Sequence, residues 1–86
     1  MTAAKRLDIV VPLESERLAD AVARALAVET DEAPPRTRLA VERHGAELRL
    51  HVESDDARGL RAGANSLLRW ADTAIAVARA ALPKGP

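Results

Sequence analysis

The stretch of residues 56–82 constrains the fold most, because its apolar side chains recur at the spacing of one long helix. Steps of three and four residues mark a helix face that is buried, and this face comprises Leu60, Ala64, Leu67, Ala71, Ile75, Ala78 and Leu82. The opposite side is polar, with Arg58, Arg61, Asn65, Arg69, Asp72 and Arg79. A second, weakly apolar strip lies between the two and comprises Gly63, Ser66, Trp70, Ala74, Val77 and Ala81. Because one apolar face is enough to build a domain, the second strip predicts that the helix also binds a partner.

The first half of the chain predicts one strand and one shorter helix. Residues 5–11 alternate apolar and polar side chains and end at Pro12, which is typical of a half-buried strand. An apolar stripe predicts a helix over about residues 14–27. Residues 28–36 are acidic and contain a Pro-Pro pair, which predicts a loop.

Two further alternating segments flank His44-Gly45 and predict a β-hairpin, because this dipeptide is typical of a short turn. A two-residue turn at this point keeps the apolar side chains of both strands on one face of the sheet. The register that follows pairs Leu39 with Leu50, Val41 with Leu48, and Glu42 with Glu47. The last of these pairs is repulsive.

The predicted element order is β-α-β-β-α, and the fold class is α+β. We expect a two-layer sandwich in which two helices cover one face of a three-stranded antiparallel sheet. Residues 1–86 are expected to form a single domain, with a flexible tail at residues 83–86. The apolar residues are largely alanines and include a single aromatic side chain. Because so small a domain has a limited core, self-association is a favourable way to gain stability.

The composition argues against several classes of function. The 13 basic and 13 acidic residues balance, so the chain lacks the basic field of most free-standing nucleic-acid-binding proteins. It has no cysteine, its two histidines lack the spacing of a metal site, and we expect no metal. No glycine-rich phosphate loop follows a strand, and we expect no cofactor. Without a transmembrane stretch or a signal-peptide pattern, the chain is expected to be soluble and cytoplasmic, with no contact to a membrane.

Three features of the long helix have two interpretations each. The small residues Gly63 and Ser66 suit either the close approach of a partner backbone or ordinary packing in the core. Trp70 suits either a partner contact or a core position that covers the edge of the sheet. The arginines of the polar stripe are either solvated or placed to bind phosphates or carboxylates through paired hydrogen bonds.

The segment Leu60-Arg61-Ala62-Gly63-Ala64-Asn65-Ser66-Leu67-Leu68-Arg69-Trp70 resembles the Leu-Arg-Ala-x-x-Asn-Ser-x-x-Arg segment of a known family, the small dimerising subunit of the KEOPS complex. The chain length and the order β-α-β-β-α also match this archaeal and eukaryotic family. The resemblance implies a non-catalytic homodimer whose helices pack against helices of the catalytic subunit, a protein with an actin-like ATPase fold. KEOPS transfers a threonylcarbamoyl group to adenosine 37 of tRNA, and one dimer joins two catalytic assemblies.

The resemblance also implies which residues bind partners. Together with the weakly apolar strip, the motif defines a partner-binding set of Leu60, Arg61, Gly63, Asn65, Ser66, Arg69, Trp70, Ala74 and Val77. Arg58, Arg61 and Arg69 are candidate tRNA contacts, which other subunits must share because this chain has no basic field of its own. No catalytic residue is assigned.

Two other functions compete with this interpretation. One is an independent small RNA-binding module of the KH type, which requires a Gly-x-x-Gly loop between helices. Gly59 and Gly63 are one residue too far apart for that loop, and they lie within a helical pattern. The other is a small α+β enzyme with a site between subunits, which requires a polar cluster that the sequence does not display.

Overall fold

The structure, a computed structural model, describes residues 4–82 and confirms the predicted α+β class and the order β-α-β-β-α. The strands are β1 (Lys5–Pro12), β2 (Thr37–His44) and β3 (Glu47–Ser54), and the helices are α1 (Glu16–Glu29) and α2 (Ala57–Ala81). A short 3-10 turn, Thr30–Glu32, follows α1. The tail expected at residues 83–86 lies outside the described residues. No helix between residues 4 and 82 has the length and apolar character needed to cross a membrane.

The sheet is antiparallel, with β3 in the centre between β1 and β2. Both helices pack on the face to which Leu48, Leu50 and Val52 of β3 point, and these three side chains are fully buried. The buried face predicted for α2 is confirmed, because its members either lie in the core or pack against it. From α1, the core receives Leu18, Ala19, Val22 and Leu26.

The predicted register of the hairpin is wrong by two residues. Val41 pairs with Leu50 instead of Leu48, because the turn consists of Gly45 and Ala46 and not of His44 and Gly45. Gly45 has a φ of +62°, in the left-handed region that a residue without a Cβ adopts most easily. Since a shift of two residues preserves the face of each side chain, the apolar sets still share one side. The observed pairs are Leu39 with Val52, Val41 with Leu50, and Glu42 with Arg49, so Glu42 faces a cation and not the predicted Glu47.

The helix starts are set by side-chain caps. Ser15 Oγ accepts a hydrogen bond from the backbone N–H of Leu18, so α1 begins two residues later than predicted. Its end is also later, at Glu29, because the chain continues helically into the segment predicted as a loop. Asp56 Oδ1 accepts a 2.7 Å hydrogen bond from the backbone N–H of Gly59 and caps α2.

The N-terminal half of α2 lies unusually close to the sheet. A Cβ at Gly59 would lie 2.1 Å from Ser54 Oγ, and a Cβ at Gly63 would lie 2.8 Å from Val52 Cγ1. Thr37 Cγ2 would be only 3.0 Å from the same Gly63 Cβ. Both glycines therefore allow the helix to approach β2 and β3.

We expect Gly63→Ala to lower the free energy of unfolding, because the new methyl group overpacks the space above Val52 at a cost of about 1–3 kcal/mol. This loss outweighs the gain of about 1 kcal/mol in helix propensity. Urea unfolding followed by the emission of Trp70, which is half-buried, measures the change.

The matched control for this substitution is the exposed neighbour in the same helix, Ala62→Gly. It should cost about 1 kcal/mol through helix propensity alone. If Gly63→Ala instead raised the stability by the amount that the control loses, the close approach of α2 to the sheet would be refuted.

Candidate functional site

An apolar groove runs between the two helices, on the side of the helix layer that faces solvent. It has a volume of about 440 Å³. The residues that line it are Ala21, Ala25, Leu26 and Glu29 of α1, and Trp70, Thr73, Ala74, Val77 and Ala78 of α2.

The groove exists because small side chains face each other where the helices meet. Ala21 and Ala25 are one turn apart in α1, as are Ala74 and Ala78 in α2, so little side-chain volume fills the space between the helices. Val77 stands at the rim with 62% of its surface exposed. An apolar residue this exposed contributes little to its own core, so the groove presents exposed apolar surface to solvent.

Part of the predicted partner-binding set comes together at this groove. Trp70, Ala74 and Val77 line it. Trp70 also packs against the core, so its side chain combines a core contact with a surface that is open to a partner. Ser66 is half-buried one turn before Trp70. Leu60 packs against the core.

Gly63 does not join the groove. The close approach that its small size predicted is present, but the neighbouring atoms belong to Val52, Thr37 and Leu39 of the same chain. Gly63 is buried under its own helix, and its lack of a side chain is explained by packing on the sheet. Gly63 is therefore not part of the exposed surface that a partner could contact.

The polar stripe of α2 is exposed, as the helical spacing predicted. Arg58, Arg61, Asn65 and Arg69 all face solvent. Within the described part of the chain, no acidic side chain forms an ion pair with the three arginines, whereas six other arginines have one. The stripe thus presents unpaired guanidinium groups, which suit an anionic partner.

A chain of ionisable side chains crosses the outer face of the sheet, and sequence reasoning missed it. His51 lies in the centre, with Nδ1 2.6 Å from Asp8 Oδ1 and Nε2 3.4 Å from Glu42 Oε1. The hydrogen bond from His51 is the main cause that lowers the pKa of Asp8, and a second one from Arg6 adds to it. The hydrogen bond from His44 lowers the pKa of Glu42.

This network was hidden in the sequence because its members are far apart along the chain. Asp8 and His51 are 43 residues apart and meet only because β1 pairs with β3 at this register. Among residues 4–82, no group of three or more His, Asp or Glu is arranged to hold a metal ion. These side chains pair with one another instead, although His51 Nε2 is buried and has no hydrogen-bond partner within the described chain.

A second contact missed by sequence reasoning joins the ends of the helices. Arg79, near the end of α2, donates two hydrogen bonds of 2.8 and 2.6 Å to the carboxylate of Glu14, just before α1. This bidentate pair lowers the pKa of Glu14 and raises that of Arg79. It connects residues 65 positions apart at one end of the groove.

We expect the stabilising effect of Glu14 to depend on pH. Because the pKa of Glu14 is lowered in the folded state, its contribution is complete above its ordinary value of 4.5 and is lost as the pH falls through the folded-state pKa. The difference in unfolding free energy between the wild type and Glu14→Gln should therefore shrink as the pH is lowered from neutral through this range, which urea unfolding measures.

The control for this prediction removes the cation. In an Arg79→Gln background, Glu14→Gln should produce a difference that changes less with pH, because the hydrogen bonds from Arg79 that are the main cause of the lowered Glu14 pKa are absent. A wild-type difference that stays constant across the pH series would contradict the role of this ion pair.

Comparison with known proteins gives two matches over most of the chain. A family model described as "Transcription factor Pcc1" matches residues 6–79, which include all of the groove. A protein of Eremothecium gossypii named "EKC/KEOPS complex subunit PCC1" is 38% identical over 72 residues. The alignment covers 84% of this chain and 89% of the relative. The resemblance predicted from the segment that begins at Leu60 is confirmed.

Proposed function

Because the chain belongs to the Pcc1 family, we propose that it is the small, non-catalytic subunit of a KEOPS complex that modifies tRNA. In this role it forms a homodimer in the cytoplasm, and each protomer binds one catalytic subunit of actin-like ATPase fold. One dimer thereby joins two catalytic subunits for the transfer of a threonylcarbamoyl group to adenosine 37. The name of the Eremothecium relative supports the place in KEOPS.

The apolar groove between α1 and α2 is the observation that carries this proposal. A helix of the catalytic subunit docks there and converts the two-helix layer into a bundle. The alanines of the groove let the backbone of this third helix approach closely, and Trp70 provides a large contact surface at one end. Val77, which is 62% exposed in the free protomer, becomes buried in the complex.

The subunit takes no catalytic step of its own in this proposal. The ionisable side chains on the outer face of the sheet are engaged with one another, as Asp8 is with His51 and Glu42 is with His44. The groove is lined almost entirely by apolar side chains and offers no pair of acid and base groups.

The unpaired arginines of α2 contribute to tRNA binding within the complex. Guanidinium groups without an internal partner remain free to bind phosphates, and Arg58, Arg61 and Arg69 lie exposed on one side of the helix. Because the chain carries no net charge, the other subunits supply most of the attraction for tRNA. An independent RNA-binding module of the KH type is not favoured, since Gly59 and Gly63 pack against the sheet and form no exposed loop.

Co-expression with the catalytic subunit of the same organism tests the groove. We expect Val77→Glu to weaken the complex by about 2 kcal/mol or more, roughly thirtyfold, because a carboxylate would be buried in an apolar contact. Co-purification and calorimetry measure the effect. Since Val77 is exposed in the free protomer, the variant should still fold.

The matched control is Leu68→Glu, which makes the same apolar-to-acidic change at a residue that is 44% exposed and does not line the groove. It should bind the catalytic subunit like the wild type. Undiminished binding of Val77→Glu would sink the proposed docking site.

The proposed homodimer has a separate test. Sedimentation equilibrium of the isolated chain at micromolar concentration should give the mass of two protomers, because a small alanine-rich core gains stability from association. A mass of one protomer throughout the concentration series would exclude the dimer and leave the groove proposal unaffected.

A further inference from the structure

Glu29 differs from every other residue of the groove. It is the only charged residue among those that line the groove in the described part of the chain. It is half-buried, and no lysine, arginine or histidine between residues 4 and 82 forms an ion pair with it. A carboxylate is thus held at one end of an apolar surface, and no cation of residues 4–82 neutralises it.

The position of Glu29 on its helix is also unfavourable in the free protein. It is the last residue of α1, where the helix dipole is negative, and the last turn contains no basic residue. Asp31 and Glu32 follow in the 3-10 turn and add like charge. A cation brought by a partner would relieve all of these repulsions at once.

The alanine walls of the groove provide little direction for a docking helix. The end of α2 is bonded to the start of α1 through Arg79 and Glu14, so the two helices run antiparallel and their dipoles oppose each other. The alanines are small and alike along both walls. Trp70 and the charge of Glu29 lie at the same end and distinguish the two directions, and Glu29 adds an electrostatic preference.

We propose that the segment that occupies the groove is an amphipathic helix of the catalytic subunit with a lysine or arginine placed over Glu29. This inference rests on the proposed function and specifies the chemistry of its partner. Apolar side chains of the docking helix cover the alanines and Val77, and its cation pairs with Glu29 at the Trp70 end of the groove. The ion pair determines the direction and the register in which the helix docks.

The observations favour a cationic protein segment over other charged ligands. A carboxylate repels the phosphates of RNA, so nucleic acid is a poor occupant of this groove. A metal ion requires several ligands, and Glu29 is the one carboxylate among the residues of the described chain that line the groove. A helix that presents both apolar side chains and one cation matches the whole lining.

The test compares Glu29→Lys with the wild type in binding to the purified catalytic subunit, by calorimetry at low and at high salt. At low salt we expect the complex to weaken roughly tenfold or more, because two cations would face each other, and the loss should shrink as salt is added. Glu29→Gln should weaken the complex less and reduce its salt dependence.

The stability of Glu29→Lys against urea provides an independent check that this variant is folded. Glu29→Lys should unfold at the same or a higher urea concentration than the wild type, because a cation is favourable at the end of a helix. Weaker binding together with undiminished stability therefore cannot result from misfolding.

The matched control is Asp72→Lys, which makes the same charge reversal at an exposed residue of α2 that does not line the groove. It should change the affinity less than about twofold. If Glu29→Lys bound like the wild type, or lost no more affinity than Asp72→Lys, the inference would be overturned. If Val77→Glu still failed to bind in that case, the proposed function would stand; if Val77→Glu also bound normally, the groove proposal would fall as well.

Discussion

The whole structure depends on the direct contact between α2 and the inner face of the sheet. At Gly59 and Gly63 no Cβ separates the helix from Ser54 and Val52, so the helix backbone rests almost on the strands. The buried core within residues 4–82 has no aromatic side chain and includes four alanines, while Trp70 only packs against it. Its layers must therefore lie close together to exclude water, and the two glycines permit this.

Small side chains also explain the candidate site. Alanines at the junction of α1 and α2 let the helices share one core, but they do not fill the space above it. The result is a groove whose floor is already part of the fold and whose rim, at Val77, remains exposed. Small side chains thus contribute both to the packing of the helices and to the exposed apolar surface, and Glu29 is the one charged residue of the described chain that lines this surface.

Most of the fold could be predicted because apolar periodicity decides which face of an element is buried, and the helices and strands of this chain have strong periods. The hairpin register could not be predicted in the same way. It depends on which turn residue adopts the left-handed conformation, and in the structure that residue is Gly45. Gly63 was misplaced because a glycine adds nothing to a pattern of apolar side chains, whether it is buried or exposed. The pairs of Asp8 with His51 and of Glu14 with Arg79 require the tertiary fold before they can be seen.

The bond between Arg79 and Glu14 has a consequence for the way in which a partner would bind. It fastens the end of α2 to the beginning of α1, which Ser15 also caps, and Asp56 caps the beginning of α2. The two walls of the groove are therefore held to each other at this end before any encounter. A helix that docks between these walls loses conformational freedom, whereas this chain loses little. The conformational entropy cost of assembly therefore falls mainly on the docking helix.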